Sequence, residues 1–279
     1  MIMWQSQNEP PELSLKLLYI IVAFFKAIPV LCVILGGLGV LLFVRIIEYP
    51  FFGQKRPLTP YITMFVCRIS LFFIGLRCLV KGKPMRKCGA IVSNHVSWLD
   101  ILALNSLQTV YFVSKSEVSS WPLIGQLAQA TGTFFIERNP RKSANQLKVF
   151  EKRLESGHRL LFFPEGTSSD GLQVLNFKST LFAAFFNESL RSLSFVQPVS
   201  LYYEPPVGQD ERFYAWWGDM VLGKHLLLTL ATIRHGAIHV TFSEPIAVAG
   251  FRSRKELAKA LESTVIATHD AARIRARPT

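Results

Sequence analysis

The chain has 279 residues, of which 50% are hydrophobic and only 18% are charged, and its formal net charge is +12. This length suits one large α/β domain or a catalytic domain with an appendage. A basic chain rich in apolar residues fits an anionic membrane surface or anionic substrates better than free solution. We expect no nucleic-acid partner, because the sequence has neither a basic helical stripe nor an RNA-binding aromatic motif. The four cysteines lack metal-type spacing and are expected to be reduced, buried thiols.

The first predicted element is an apolar segment from Leu13 to Ile47. Residues 27–44 carry no charge, and this stretch reaches the lower end of the roughly 17–25 residues that cross a hydrocarbon core. One spanning helix and a two-helix re-entrant or interfacial hairpin both fit, and we favour at least one span. A signal peptide fits less well, because Glu9 and Glu12 lie near the start and no lysine precedes the segment's first residues.

Basic residues directly follow the uncharged stretch: Arg45, Lys55 and Arg56. The positive-inside bias therefore places the rest of the chain in the cytoplasm. We predict a membrane-anchoring segment over residues 1–60 and a second domain over residues 61–279. Within that domain, the apolar stretch from Tyr61 to Val80 contains Arg68 and Arg77, which could share one side of a helix. An interfacial amphipathic helix and a core helix with two snorkelling arginines both remain open.

From about Leu79 onward, short β-rich runs alternate with helical stretches. Six runs are predicted to be strands: 90–92, 110–113, 133–136, 160–163, 196–201 and 238–242, the last at an edge or closing position. Helices are predicted from five positions: Leu99, Trp121, Lys142, Phe177 and Ser253. This alternation predicts an α/β fold with a mostly parallel sheet flanked by helices, preceded by the N-terminal membrane helical segment. Residues 204–218 are expected to form a long surface excursion that could touch lipid.

His95 and Asp100 lie five positions apart, directly after the first predicted strand. On one continuous helix the two side chains would diverge by about 140°, so they can meet only if His95 precedes the helix. Ser97 and Asp100 form a capping-box-like start, which sets the helix origin at Ser97. Asp100 can then accept a hydrogen bond from one imidazole nitrogen, while the other acts as a base toward a substrate hydroxyl. The alternative is that Asp100 only caps the helix and His95 is a satisfied turn residue.

Two further polar turns follow predicted strands. Glu165-Gly166-Thr167 comes after an apolar run, and its glycine lets the backbone approach a ligand while its neighbours offer polar groups. The run from Gly132 to Arg138 ends another strand with an arginine, which is suited to a bidentate grip on phosphate or carboxylate. Taken alone, Glu165-Gly166-Thr167 is an ordinary turn, and Arg138 is a solvated arginine at a strand end.

In this order and spacing, the motifs resemble those of the glycerolipid acyltransferase family, which includes lysophosphatidate and glycerol-3-phosphate acyltransferases. The resemblance covers residues 90–201 in four blocks. It implies that His95 is the general base, that Asp100 orients it, and that residues 196–199 shape the pocket. The acceptor-binding residues that it implies are Arg138, which would grip an anionic group, and the turn of Glu165, Gly166 and Thr167.

One departure from the family concerns the position after Glu-Gly-Thr, where lysophosphatidate acyltransferases typically carry an arginine and this chain has Ser168. Losing a cation there weakens the case for a phosphate group in the acceptor. The surrounding run and residues 216–220 resemble the bacterial branch that acylates lyso-ornithine lipid. In that acceptor, Arg138 could hold the ornithine carboxylate, and the ammonium could pair with Glu165 or Asp170.

The resemblance implies a membrane-bound O-acyltransferase that moves a fatty acyl chain from acyl-ACP or acyl-CoA to the free hydroxyl of a lysolipid, with lyso-ornithine lipid the favoured acceptor. His95 would take the hydroxyl proton without a covalent enzyme intermediate. Acylation of lysophosphatidate and a catalytically silent lipid-binding membrane protein are the alternatives. Neither a metal nor an organic cofactor is implied. The expected location is the bacterial inner membrane, with the catalytic domain on its cytoplasmic side and in contact with the lipid bilayer.

Overall fold

The protein is described by a computed structural model over residues 4–6, 17–137 and 143–276. The α-helices are α1 (Leu17–Phe52), α2 (Thr59–Ile74), α3 (Leu99–Leu107), α4 (Ile124–Ala130), α5 (Ser143–Glu155), α6 (Glu188–Arg191), α7 (Leu222–Ala231) and α8 (Arg254–Ala276). The strands are β1 (Arg77–Lys81), β2 (Gly89–Ser93), β3 (Tyr111–Lys115), β4 (Phe134–Ile136), β5 (Arg159–Phe162), β6 (Phe195–Glu204), β7 (Ala237–Phe242) and β8 (Ile246–Ala247). Short 3-10 helices cover Ser116–Ser120, Ser179–Phe186 and Val248–Gly250.

The strands of the described residues join in one sheet with the order β1-β7-β6-β2-β5-β3-β4, and β8 lies beside β6. Neighbours from β6 to β4 run parallel, as do β1 and β7, while β7 and β8 pair antiparallel with β6. The predicted α/β fold with a mostly parallel sheet is therefore confirmed. The carboxyl ends of β2, β5, β3 and β4 share one edge of the sheet, because these strands are parallel.

Strand β2 lies near the middle of the sheet, and all of its residues are buried. Ile91 packs into a core formed with α1, α2, α3 and α7, whereas Ala90 and Val92 pack on the other face with α5 and α8. Burying a large aliphatic side chain contributes about 1.5–3 kcal/mol, so this two-sided enclosure holds β2 firmly. The turn that follows β2 is thereby fixed in position.

Two charged residues of α1 hold both ends of α2. Glu48 is 2% exposed and accepts hydrogen bonds at the start of α2, from Leu58 N at 2.7 Å and from Thr59 Oγ1 at 2.9 Å. Lys26 Nζ donates to the Ile74 carbonyl at the end of α2, over 2.7 Å. A carboxylate at a helix N-terminus and an ammonium at a C-terminus both match the helix dipole. Helices α1 and α2 therefore form an antiparallel hairpin.

Helix α1 is the N-terminal apolar segment that the sequence predicts. Among the described residues, it alone is long and apolar enough to cross a membrane, and 6% of its most apolar window is buried inside the protein. Such exposure distinguishes it from a core helix and makes it a candidate membrane span. Its contact with α2 is close at Gly37, where a Cβ atom would lie 2.2 Å from Val66 Cγ2.

Two predicted elements differ from the structure. The stretch from Tyr61 to Val80 is not one helix, because α2 ends at Ile74 and β1 begins at Arg77. Gly75 adopts a left-handed conformation, with φ at 89°, and ends the helix there. Strand β7, predicted at an edge or closing position, lies between β1 and β6. A helix and a strand follow each other here without a long polar break, so the apolar pattern does not indicate the boundary between them.

The expected surface excursion over residues 204–218 was also wrong in part. Its aromatic side chains point inward, and Phe213, Tyr214 and Trp217 are all buried in the core. Prolines and glycines correctly indicate a break in regular structure, but they do not indicate on which side the aromatic residues lie. The cysteines are free, yet only Cys67 is buried, whereas Cys32 and Cys88 are exposed and Cys78 is intermediate.

Candidate active site

The turn between β2 and α3 carries both residues of the predicted dyad, and Asn94 fixes its start. The Asn94 side chain donates to the Leu201 carbonyl and accepts from the Leu201 amide, both over 2.8 Å. Strand β2 has ended at this point, so the side-chain amide continues the pairing with β6 in place of the backbone. These two hydrogen bonds fix the backbone position of the next residue, His95.

His95 and Asp100 are in direct contact. Their Nδ1 and Oδ2 atoms are 2.7 Å apart, and the two side chains are 21% and 0% exposed. Because Nδ1 faces the carboxylate, Nε2 is the nitrogen that can accept a proton, and it has no hydrogen-bond partner among the described residues. The His95 ring lies flat on the Phe163 ring, with centroids 4.0 Å apart and an angle of 8° between the planes. The imidazole is therefore held at one nitrogen and on one face.

The helix start differs slightly from the prediction. Helix α3 begins at Leu99 rather than at Ser97, and the buried Ser97 hydroxyl has no partner in the described part of the chain. Asp100 makes the capping bonds instead, since its Oδ2 accepts from the amides of Val96 at 2.8 Å and Ser97 at 3.0 Å. The carboxylate thus caps the turn and also orients the imidazole, so the two predicted alternatives for Asp100 are both present in one group.

Tyr203 completes the surroundings of Asp100. Its hydroxyl donates to Asp100 Oδ1 over 2.7 Å, and the residue is 3% exposed. Burial and the charge of Asp100 raise the pKa of Tyr203 well above its ordinary value, so the phenol keeps its proton and acts only as a donor. Both oxygens of this fully buried carboxylate therefore receive hydrogen bonds.

The Glu-Gly-Thr turn follows β5, the parallel neighbour of β2, and so lies at the same edge as the dyad. Gly166 has a left-handed conformation, with φ at 71°, and a Cβ atom there would lie 2.7 Å from Lys178 Nζ. Only glycine adopts this conformation without strain, which explains its place in the turn. Downstream, the Ser169 amide donates to the His95 carbonyl over 2.9 Å, so the two polar turns are bonded to each other.

Glu165 is 2% exposed. Burial, with the nearby negative charge of Asp100, raises the pKa of Glu165 well above its ordinary value, although the amides of Leu175 and His95 and the charge of Lys178 act in the opposite direction. Neither carboxyl oxygen forms a hydrogen bond of good geometry within the described residues. Desolvation therefore outweighs the weakly placed amides in its effect on the pKa of Glu165.

The remaining predicted residues have different outcomes. Thr167 is partly exposed on the same turn. Arg138 lies outside the described residues, two positions after β4 ends at Ile136. Within residues 4–6, 17–137 and 143–276, no group of three or more His, Cys, Asp or Glu side chains is arranged to hold a metal ion. Sequence reasoning missed Tyr203 and the stacking role of Phe163, because neither role follows from a local pattern.

A buried aspartate that orients a partly exposed histidine, at the carboxyl end of an α/β sheet, is an arrangement that can activate a hydroxyl group. The family model described as Acyltransferase matches residues 81–200. The chain is 53% identical over 233 residues to a lyso-ornithine lipid O-acyltransferase of Rhodobacter capsulatus, covering 84% of each protein. It therefore belongs to the acyltransferase family and is an acyltransferase, as the motif resemblance predicts.

Two further comparisons bear on substrate and fold. A lyso-ornithine lipid O-acyltransferase of Rhizobium meliloti is 37% identical over 69% of each chain, and a 1-acyl-sn-glycerol-3-phosphate acyltransferase of Neisseria gonorrhoeae is 36% identical over 49% of this chain and 52% of its own. The crystal structure of the 1-acyl-sn-glycerophosphate acyltransferase of Thermotoga maritima superposes with a TM-score of 0.63 at 21% identity, covering 94% of this chain and 97% of that one. That structure shares the fold.

Proposed function

We propose that this acyltransferase moves a fatty acyl chain from acyl-ACP or acyl-CoA to the free hydroxyl of lyso-ornithine lipid. The observation that carries the proposal is the 53% identity, over 84% of both chains, to an enzyme with that activity in its name. Ser168, in place of an arginine beside the acceptor turn, supports an acceptor without a phosphate group. The rival acceptor is lysophosphatidate, which the Neisseria relative acylates according to its name.

In the proposed mechanism, His95 Nε2 removes the proton from the lysolipid hydroxyl as the hydroxyl oxygen attacks the thioester carbonyl. The ester C–O bond forms, the C–S bond breaks, and the proton passes from Nε2 to the departing sulfur, which leaves as a thiol. Asp100 stabilises the imidazolium that forms in between. General base catalysis of this kind contributes about 10²–10⁴-fold to a rate. No covalent enzyme intermediate is needed, because the acceptor supplies the nucleophile.

The stack of His95 on Phe163 gives this mechanism its geometry. A base must lie within hydrogen-bond reach of the proton that it removes, so the direction of Nε2 matters as much as its basicity. The parallel rings, with centroids 4.0 Å apart, oppose a rotation of the imidazole about its Cβ–Cγ bond, which would carry Nδ1 away from Asp100 and change the direction of Nε2. Phe163 is therefore a positioning residue in the proposed reaction, since it acts through the imidazole.

The proposed acceptor site joins the turn over residues 165–167 to Arg138. Because Glu165 is almost completely buried, we assign it to the support of the turn, while Gly166 and Thr167 present backbone and hydroxyl groups to the acceptor. Asp170 then becomes the favoured partner of the ornithine ammonium. Its carboxylate is 5% exposed and accepts from Ser6 Oγ at 3.0 Å and from the Leu172 amide at 3.1 Å. The ornithine carboxylate is assigned to Arg138.

We further propose that residues 1–60 anchor the protein in the bacterial inner membrane and that residues 61–279 form the catalytic domain on its cytoplasmic side. The exposed apolar surface of α1 supports the anchoring. Arg45, Lys55 and Arg56, near the end of α1, support the orientation through the positive-inside bias. The membrane would bring the lysolipid to the site, and the basic surface would attract an acidic acyl carrier.

The test is purified full-length protein in detergent, given equal amounts of lyso-ornithine lipid and lysophosphatidate with one acyl donor, with products identified by mass spectrometry. The proposal predicts that ornithine lipid forms well ahead of phosphatidate. Phosphatidate as the main product would overturn the choice of acceptor. Repeating the reaction with acyl-ACP and acyl-CoA in separate tubes identifies the donor. Restoring arginine with Ser168→Arg should raise the share of phosphatidate, because it returns a cation to the turn.

A further inference from the structure

A cavity lies at the edge of the sheet opposite to the dyad of His95 and Asp100. Its volume is about 340 Å³, and it is formed between the α1–α2 turn and the first residues of β3 and β5. Tyr111 begins β3 and Arg159 begins β5, and both line the cavity. His95 instead follows the carboxyl end of β2, which runs parallel to β5. The cavity is therefore separated from the candidate active site by the length of the strands.

The cavity is strongly cationic. Lys55, Arg56 and Arg159 line it, and Arg153 lies 5.7 Å from the Tyr111 ring centroid. The arginines use only neutral partners: Arg56 donates to the Ala130 carbonyl, Arg153 to the Gly132 carbonyl, and Arg159 to the Met85 carbonyl and the Thr109 hydroxyl. In the described part of the chain, no carboxylate forms an ion pair with any of these four cations. Glu48 is close enough to act on the charge of Arg56, but four cations with no carboxylate at ion-pair distance in the described residues still attract an anion.

His158 gives the cavity a buried polar group without a partner. It is 6% exposed, lines the cavity and stacks on Tyr111 with ring centroids 4.2 Å apart, yet neither ring nitrogen has a hydrogen bond among the described residues. Burial and the charges of Arg153 and Arg56 lower the pKa of His158 to about 4, although the backbone of Gln54 acts in the opposite direction. The Gln54 backbone is a poorly placed partner for this ring, so a ligand that supplies an acceptor would complete its hydrogen bonding.

The rim of the cavity faces the direction from which a lipid would come. Phe52 and Tyr61 line it from the ends of α1 and α2, and they are 50% and 58% exposed. Leu58, on the turn between the two helices, is also 58% exposed. Aromatic and basic side chains together at the end of a candidate membrane helix are typical of the headgroup layer of a bilayer.

We propose that this cavity binds the phosphate headgroup of an anionic phospholipid of the surrounding membrane, as a site separate from the one that holds the substrates. Its volume is sufficient for a phosphoglycerol group, since pockets for small molecules begin at about 300 Å³. The cations hold the phosphate oxygens, the His158 ring donates to one of them, and the exposed aromatic rim contacts the upper acyl chain. The proposal is independent of which lysolipid the enzyme acylates.

The test measures lipid binding to the full chain in a neutral detergent, with short-chain phosphatidylglycerol as the probe and the shift of melting temperature as the readout. Short-chain phosphatidylcholine is the control for the acyl chains, while inorganic phosphate and coenzyme A are controls for other sources of phosphate. We expect a saturable rise in melting temperature with phosphatidylglycerol alone. Equal stabilisation by phosphatidylcholine would overturn the proposal. Saturation by inorganic phosphate at similar concentrations would overturn the assignment to a lipid, as would a stabilisation by coenzyme A that Lys55→Gln weakens.

Charge-removing variants locate the site. Lys55→Gln should weaken the apparent affinity for phosphatidylglycerol roughly fivefold, because one cation near an anionic lipid surface is worth about that much. Lys55→Gln combined with Arg159→Gln should weaken it further, and the single variant remains informative if the double variant folds poorly. Lys255→Gln removes an equal charge from an exposed position on α8 and should leave the affinity unchanged. An unchanged affinity for Lys55→Gln, or an equal loss for Lys255→Gln, would refute the site.

Discussion

Tyr203→Phe is the sharpest test of how the dyad is held, because it removes one hydroxyl and nothing else. That hydroxyl is the described partner of Asp100 Oδ1, at 2.7 Å, whereas the other bonds to Asp100 all reach Oδ2. A hydrogen bond to a charged group contributes about 1.5–3 kcal/mol, and a buried acceptor that loses its donor bears most of that cost. We therefore expect the free energy of unfolding to fall by about this amount.

The same loss should appear in catalysis if Asp100 acts by stabilising the imidazolium of His95. A barrier raised by about 1.5–3 kcal/mol corresponds to a fall in kcat of roughly ten- to a hundredfold. KM should change little, since Tyr203 lies behind the carboxylate and contacts no substrate in the proposed mechanism. Steady-state acyl transfer, measured with the preferred lysolipid and a saturating donor, separates kcat from KM.

Tyr214→Phe is the matched control for Tyr203→Phe. Tyr214 is 0% exposed and also loses a buried hydroxyl, which lies 2.8 Å from His235 Nδ1 and contacts neither His95 nor Asp100. Both variants should be less stable than the wild type, but only Tyr203→Phe should lose turnover. If both retain wild-type kcat, or both lose it equally, the proposed support of the dyad by Tyr203 is refuted.

Three further predictions concern the base, the helical hairpin and the response to pH. His95→Ala should lower kcat at least about a hundredfold without lowering the melting temperature, whereas His239→Ala on β7 should stay active. Near-normal acyl transfer by His95→Ala would refute the assignment of His95 as the general base. Gly37→Ala should lower the melting temperature, because its Cβ would lie 2.2 Å from an α2 side chain, whereas Gly36→Ala, with nothing within 4 Å, should not; the opposite order would contradict the close α1–α2 contact. Burial lowers the pKa of His225 from 6.5 to about 4, so the unfolded chain takes up this proton first and stability falls as the pH drops from 6.5 toward 4. His225 should lower the free energy of unfolding by about 2 kcal/mol at pH 5 relative to neutral pH. His225→Gln should therefore flatten the plot of melting temperature against pH, and an unchanged plot would refute the prediction.

The dyad could be predicted from sequence because its geometry is local. His95 and Asp100 are five residues apart, and the only way for them to meet is a turn followed by a helix start, which the apolar run before them and Ser97 both indicate. The exact first helical residue was wrong by two positions, because Asp100 rather than Ser97 caps the turn. Local patterns therefore identify the pair of His95 and Asp100, but the hydrogen-bond partners of the Asp100 carboxylate decide where helix α3 begins.

The ends of α2 show what local patterns miss. From sequence, Lys26 interrupts an apolar run and Glu48 follows it, and both count only against membrane insertion. In the structure they bind the two ends of α2, and Lys26 Nζ also donates to the Thr232 carbonyl after α7, over 2.7 Å. The Lys26 partners are 48 and 206 positions away, beyond any local window, and Glu48 and Thr59 are 11 positions apart with the α1–α2 turn between them. Charge in an apolar helix is therefore ambiguous until the neighbouring helices are placed.

Residues 196–199, the fourth block of the motif resemblance, lie in strand β6, and the structure explains the proline among them. Pro198 lies opposite Val92 in this interior strand, and its carbonyl accepts from the Ser243 amide over 3.0 Å. In a strand, the nitrogen and carbonyl of one residue face the same side, so the Pro198 nitrogen faces the gap between β7 and β8, where no backbone acceptor is lost.

A proline in that place fixes the register of β6, and the register has consequences for the dyad. Leu201 and Tyr203 lie on one face of β6, and they hold Asn94 and Asp100 respectively. A slip by one residue would turn the Tyr203 side chain to the opposite face and would move the Leu201 backbone groups away from Asn94. We propose that residues 196–199 serve the site by aligning β6 with β2, in addition to the pocket-shaping role that the motif resemblance implies. Strand register thus connects the fourth block to the imidazole, since Tyr203 reaches Asp100 in this alignment and no other.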